Sequence, residues 1–375
     1  MDPEQPPVDE DDDPKRVVRR RFYPALASAA AVLALVGAVG YRHGLPPSRI
    51  PFSAGLQASF KYTPRYAECF DLPYQGKAAK DWNCELGVPG GTPSFALVGD
   101  SHAMAILPAF DEWAQRNKVT GVFAGLRECA PVVGAVMLRR TPWHQQECLG
   151  LNRRMLKFAT GAHIPHVFIA GRWSYYTDGD YRGRGVNYIG TSPGDEATQE
   201  HSREVLTDLL GKTVRAYTSA GTSVTLVRQL PMQLADPNQI YFKALASPDA
   251  RGALRRQGVP VARHAKLQAY ADSLFARLVA AGEVSVINLD SALCRSGECA
   301  IGTTEQSYYA DDDHLSDVGA RFLAPYLPAP DPAIAAGSDS TARRAARLPA
   351  AGRHTASAEP SPASPRPLLG AGTPR

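Results

Sequence analysis

The stretch Phe95-Ala-Leu-Val-Gly-Asp-Ser-His102 is a short apolar run that stops at a Gly-Asp-Ser-His turn. Its length suits a strand buried on both faces of a parallel sheet, and the residues from Ala103 onward carry apolar side chains at helical spacing. A strand, a tight turn and a helix put Ser101 at a helix N-terminus, where free backbone N–H groups can hold an anion. Gly-Asp-Ser by itself is also a common turn and helix cap. A second stretch, Asp311-Asp-Asp-His-Leu-Ser316 near the end of the chain, decides between these uses. A serine hydroxyl is a poor nucleophile until a neighbouring base takes its proton. His314 can be that base, and Asp311, three residues earlier in the same loop, can fix its tautomer and stabilise the imidazolium. The pair of stretches therefore points to an acyl-transfer enzyme with Ser101, His314 and Asp311 as its triad. Asp312 and Asp313 read as solvated or cap-like residues, His102 as either orienting the turn or exposed, and Ser316 as the N-cap of a final helix.

Working outward, short β-rich runs alternate with longer helical patterns, the signature of an α/β domain with a parallel sheet. The expected strands are 95–98, 119–123, 166–170, 222–227 and 284–287. The expected helices are 103–117, 145–160, 195–220, 259–281 and 317–326. In such sheets ligands gather at the carboxyl ends of the strands. Ser101, Gly125-Leu-Arg-Glu-Cys129 and Gly171-Arg-Trp173 each follow a strand, and Asp311 and His314 precede the last helix, so all can meet on one edge. The expected organisation is an acidic, Pro-rich segment with a basic flank at 1–21, a transmembrane helix at 22–41, a linker at 42–66, the catalytic domain at 67–328, and a disordered Pro/Ala/Ser/Arg-rich tail at 329–375.

Lys15, Arg16, Arg19, Arg20 and Arg21 precede the apolar stretch and only Arg42 and His43 follow it. The positive-inside rule then leaves the N-terminus in the cytoplasm and the domain outside, periplasmic or extracellular. A cleaved signal peptide is the rival reading, but the apolar core is long for one. The six cysteines fit an oxidising compartment. They allow many pairings, and proximity alone favours Cys69 with Cys84, Cys129 with Cys148, and Cys294 with Cys299. Without C-x-x-C spacing a metal site is the weaker reading, and His163-Ile-Pro-His166 has no further ligands nearby in sequence. No metal or cofactor is expected. A net charge of +4 over 375 residues, with no basic stripe, argues against nucleic acid as a partner.

Leu97-Val-Gly-Asp-Ser-His102 followed by Asp311-x-x-His-Leu-Ser316 resembles the SGNH (GDSL-like) hydrolase superfamily, and more narrowly the extracytoplasmic SGNH domain that accompanies acyltransferase-3 membrane proteins. Cys129-Ala-Pro131, Ala170-Gly-Arg-Trp-Ser-x-Tyr176 and the cysteine pair before the Asp-x-x-His loop match that subgroup. The resemblance implies a flavodoxin-like three-layer sandwich and an acyl-serine intermediate. It also implies an oxyanion hole made by the serine N–H, a glycine N–H and often an asparagine. Gly125 is the nearest glycine, while the superfamily's Gly-x-Asn-Asp block is replaced by Gly171-Arg172-Trp173. Gly125, Arg172, Trp173, Asp100 and His102 form the expected oxyanion and substrate-binding set, with Trp173 stacking on a sugar or packing at the sheet edge. Arg172 is expected either to bind substrate or to make a structural ion pair. Relatives often carry some ten membrane helices that deliver the acyl group, whereas this chain has one candidate, so a separate membrane-embedded acyl donor protein is implied. The activity implied is O-acylation, O-acetylation first, of a cell-envelope or extracellular polysaccharide. The alternatives are a carbohydrate or lipid esterase with the same triad and an inactive glycan-binding module on a membrane anchor.

Overall fold

A computed structural model describes residues 52–76 and 82–335. Its centre is a six-stranded sheet: β1 (Cys84–Gly87), β2 (Phe95–Gly99), β3 (Thr120–Gly125), β4 (His166–Ala170), β5 (Ser223–Val227) and β6 (Ser285–Ile287). The spatial order is β1-β3-β2-β4-β5-β6. All neighbours run parallel except the edge pair β1 and β3. The order reverses at β2, and the crevice beyond the carboxyl ends of β2 and β4 is where a doubly wound sheet takes its ligand.

The two-residue period of a strand sorts these side chains into two cores. Phe95, Leu97 and Phe168 face one layer, made by α1 (Ser101–Arg116), α5 (Asp317–Leu323) and the N-terminal segment. Ala96, Val98, Val167 and Ile169 face the other, made by α2 (Pro142–Gly161), α3 (Gln199–Thr218) and α4 (Val261–Ala280). This is the three-layer α/β sandwich expected.

The expected strands correspond to β2–β6, and the expected helices to α1–α5. Boundaries moved where capping chemistry decides them: α2 starts at Pro142 because Thr141 accepts from His144 N at 3.3 Å, and α3 starts at Gln199 because Thr198 caps it. Edge strand β1 and the short helices Pro237–Leu245 and Ala250–Arg255 were not anticipated, being too brief for a clear period.

Two boundaries need correction. Part of the stretch expected as a linker belongs to the domain: Leu56 is buried in the core, Ser59 Oγ accepts from Ser307 N at 2.8 Å, and Lys61 O accepts from Asp317 N at 3.0 Å. At the other end Ile334 is buried, and Trp113 Nε1 donates to Pro328 O at 2.7 Å, so the packed chain reaches past 328. The proposed membrane span 22–41, its flank 1–21 and the tail beyond 335 lie outside the described residues. Among the described residues no helix is long and apolar enough to cross a membrane.

All six cysteines pair as proximity suggested: Cys69–Cys84, Cys129–Cys148 and Cys294–Cys299. The first ties the N-terminal segment to β1, and the second ties the loop after β3 to α2. A closed loop of about 15 residues contributes roughly 3 kcal/mol by restricting the unfolded chain.

Candidate active site

The turn that carries Ser101 is built by close approach. A Cβ on Gly99 would lie 1.9 Å from Ala170 O and 2.4 Å from Ala103 Cβ, so only glycine lets β2, β4 and α1 meet there. Asp100 then caps α1, its Oδ1 accepting from His102 N at 2.8 Å. Its Oδ2 accepts from Arg172 N at 2.8 Å and from Tyr176 Oη at 2.6 Å. Ser101 is the first helical residue, so its N–H has no acceptor within the helix and is free to meet an oxyanion.

Opposite, Asp311 folds its own loop. Oδ1 accepts from Asp313 N at 2.9 Å and His314 N at 2.7 Å, an Asx-type turn that brings the imidazole back over the carboxylate. His314 Nδ1 lies 2.8 Å from Asp311 Oδ2, and Nε2 lies 2.8 Å from Ser101 Oγ. The three residues singled out from the sequence thus form one continuous Ser-His-Asp chain. Ser316 caps α5, accepting from Gly319 N at 3.0 Å.

Two residues missed in the sequence complete this loop. Tyr62 Oη donates to Asp311 Oδ2 at 2.5 Å and its ring stands edge-on to His314. Nothing local could have revealed this, since the two lie 249 residues apart. Asp313 is not a solvated residue. Its carboxylate pairs with Arg172, Oδ1 comes within 2.7 Å of His314 Nδ1, and its side chain is only 12% exposed. Burial opposes a charge on His314, but the hydrogen bonds and charges of Asp311 and Asp313 outweigh it and raise the imidazole to about 10. Burial disfavours the Asp313 carboxylate too, yet His102, His314 and Arg172 hold it well below the ordinary range.

The remaining expected site residues are placed differently from one another. Asp100 faces the protein interior: it is 1% exposed and its oxygens are occupied by the turn, so it positions Ser101. Trp173 cannot stack on a sugar, because it is fully buried, donates from Nε1 to Val227 O at 2.9 Å and packs edge-on against Phe275. Arg172 takes the structural alternative, with its guanidinium on Asp313 and 5.2 Å from the Tyr175 ring centre. His102 is buried, with Nε2 3.8 Å from Asp313. Gly125 ends β3 in register with Gly99, while the adjoining cleft wall is made by Arg127 and Glu128.

Ser101 and His314 open into a cleft of ≈ 530 Å³. Met104, Ala105, Phe70 and Leu315 give it an apolar lining, and Tyr62, Tyr66 and Arg127 a polar one. Of the His163-Ile-Pro-His166 stretch, His166 turns into the sheet, where its Nε2 lies 2.8 Å from Thr225 Oγ1. His102, Asp313 and His314 bring ligand-type atoms together, but both ring nitrogens of His314 already face Asp311 and Ser101.

Residues 68–329 match the SGNH domain (fused to AT3 domains). The chain belongs to this SGNH family. Among solved structures it is similar to the periplasmic domain of a lipopolysaccharide acetyltransferase from Salmonella ser. Paratyphi A. The identity is 17%, over 62% of this chain and 80% of that one, with a TM-score of 0.44. It is also similar to a GDSL-like lipase from Bacteroides thetaiotaomicron, at 12% identity over 62% of this chain and 85% of the other, with a TM-score of 0.31. No curated protein matches the sequence. Membership fixes the superfamily, and the triad geometry supplies the chemistry that an SGNH enzyme of this kind would use.

Proposed function

We propose that this SGNH domain is an O-acyltransferase, in the first place an O-acetyltransferase, that modifies a cell-envelope or extracellular polysaccharide through an acyl-Ser101 intermediate. The observation that carries the reading is the aligned chain from Asp311 through His314 to Ser101 at the floor of an open cleft. Ser101 Oγ attacks the donor's acyl carbon while His314 Nε2 takes its proton. The tetrahedral oxyanion meets the Ser101 N–H at the positive end of α1. Nε2–H then protonates the leaving group as its bond to the acyl carbon breaks. In the second half a sugar hydroxyl attacks the acyl-serine, gives its proton to Nε2, and Ser101 leaves as the hydroxyl.

Transfer is favoured over hydrolysis because the family's SGNH domains occur fused to AT3 domains. We take a membrane-embedded, AT3-like protein to be the acyl donor and the apolar stretch 22–41 to hold this domain beside it. Three disulfides suit an extracytoplasmic position.

The test is intact-mass measurement of the protein after incubation with p-nitrophenyl acetate, with and without Ser101→Ala. One acetyl group on the wild type, absent from the variant and discharged faster to a glycan than to water, is the expected result. Discharge at the same rate with and without glycan would make the protein an esterase, and no adduct would remove Ser101 as nucleophile.

A further inference from the structure

The exposed aromatic side chains are not scattered. Among the described residues those standing most clear of the surface are Tyr62, Tyr74, Trp143 and Tyr326. Three of these four flank one feature. Tyr62 lines the cleft of Ser101. Tyr74 and Trp143 meet edge to face, with ring centres 4.6 Å apart, and the Arg127 guanidinium lies 4.9 Å above the Tyr74 ring. Arg127 itself forms part of the cleft wall, so the aromatic pair continues that wall outward.

The pair is held in place before any ligand arrives. Tyr74 Oη lies 2.7 Å from His144 Nδ1, on the residue next to Trp143. Both sit on the first turn of α2, which Cys129–Cys148 fastens to the loop carrying Arg127 and Glu128. Little entropy is therefore lost in ordering it on binding. Arg127 is anchored on the buried Asp71, yet its side chain is 46% exposed. A guanidinium has five N–H donors, and its side-chain contacts to Asp71 and Tyr66 leave some for a ligand.

We propose that Tyr74, Trp143 and Arg127 form the subsite that holds the glycan acceptor, an inference that rests on the acyltransferase reading above. A pyranose has an apolar C–H face and a rim of hydroxyls. An aromatic face beside a charged donor matches both, whereas a lipid chain would leave the Arg127 donors unused. Continuity with the Ser101 cleft lets a chain bound here extend one hydroxyl to the acyl-serine. The sugar platform that the buried Trp173 cannot provide is thus supplied by Tyr74 and Trp143.

The experiment uses the full chain and oligosaccharides cut from the envelope polysaccharide of the cells that make it. Wild-type acetyl-Ser101 should lose its acetyl group faster, and saturably, as oligosaccharide is added. Trp143→Ala should raise the half-saturating concentration about tenfold, equivalent to about 1.4 kcal/mol, with serine acylation by p-nitrophenyl acetate unchanged. Trp143→Tyr, which keeps a ring, should restore most of the affinity. In parallel, the oligosaccharides should quench tryptophan fluorescence in the wild type and not in Trp143→Phe. Equal half-saturation in wild type and Trp143→Ala, or no oligosaccharide-dependent quenching, overturns the subsite. If Ser101 fails to acylate, the transferase reading falls, and the quenching still decides the subsite.

Discussion

The two loops that make the site reach their geometry by opposite means. The turn that carries Ser101, residues 99–102, is fixed by backbone register: β2 and β4 pair Gly99 with Ala170, and Asp100 bonds main-chain groups on both sides. The loop that carries Asp311 and His314, residues 311–314, starts from an Asx turn but takes its charge balance from distant side chains, Tyr62 and Arg172. The first loop is rigid because the sheet is rigid. The second is tuned, because each partner changes how strongly His314 holds a proton.

That contrast can be broken in order of expected effect. Asp311→Asn keeps the shape of the side chain but removes the charge that fixes the imidazole, and acylation of Ser101 should fall by about four orders of magnitude in single-turnover kinetics. Asp100→Ala strikes the rigid loop instead. It leaves His102 N, Arg172 N and Tyr176 Oη without their acceptor, and should lower unfolding free energy by about 3 kcal/mol, read from the denaturant midpoint. A variant that loses activity while keeping wild-type stability would show that Asp100 acts in the chemistry and not in the turn.

Asp313→Asn separates tuning from assembly. In the wild type His314 must lose its proton to act as base, so kcat/KM should rise with pH toward about 10. Removing one of the carboxylates that raise it should move that limb down by about one pH unit. Stability has the opposite sign. His314 is raised above its unfolded value of about 6.5, so its contribution is fully present below that pH and is lost as pH rises through about 10. Thermal melts across this range should show the loss at lower pH in the variant. The smallest effect belongs to Tyr62→Phe, which removes one hydrogen bond to Asp311 and should slow acylation about fivefold, measured with p-nitrophenyl acetate. An unchanged rate would limit Tyr62 to packing over His314.

Much of the site was legible because its signals are local. A short apolar strand before Gly-Asp-Ser places Ser101, and the Asp-x-x-His spacing places Asp311 and His314 in one turn. Local pairing of the cysteines was legible for the same reason. Trp173 was ambiguous because a residue after a strand can face either the crevice or the layer beneath it, and only the packing of Phe275 and the Val227 carbonyl turned it inward. Asp313 was passed over because spacing alone ranks Asp311 first in a run of three aspartates. The segment around Tyr62 looked like a linker because its packed part, a six-residue helix, is too short to show a period.

By itself the sequence determined the α/β class, the parallel strands and the local cysteine pairs, and it singled out Ser101 and the Asp311–His314 loop, because each follows from periodicity or from contacts a few residues apart. Tertiary structure decided which carboxylates surround His314, which aromatic rings face solvent, and that the segment around Leu56 and Ser59 packs into the domain. Those depend on contacts between segments distant in sequence, such as Tyr62 with Asp311 and Arg172 with Asp313. Such contacts are set by how layers pack and leave no periodic trace along the chain.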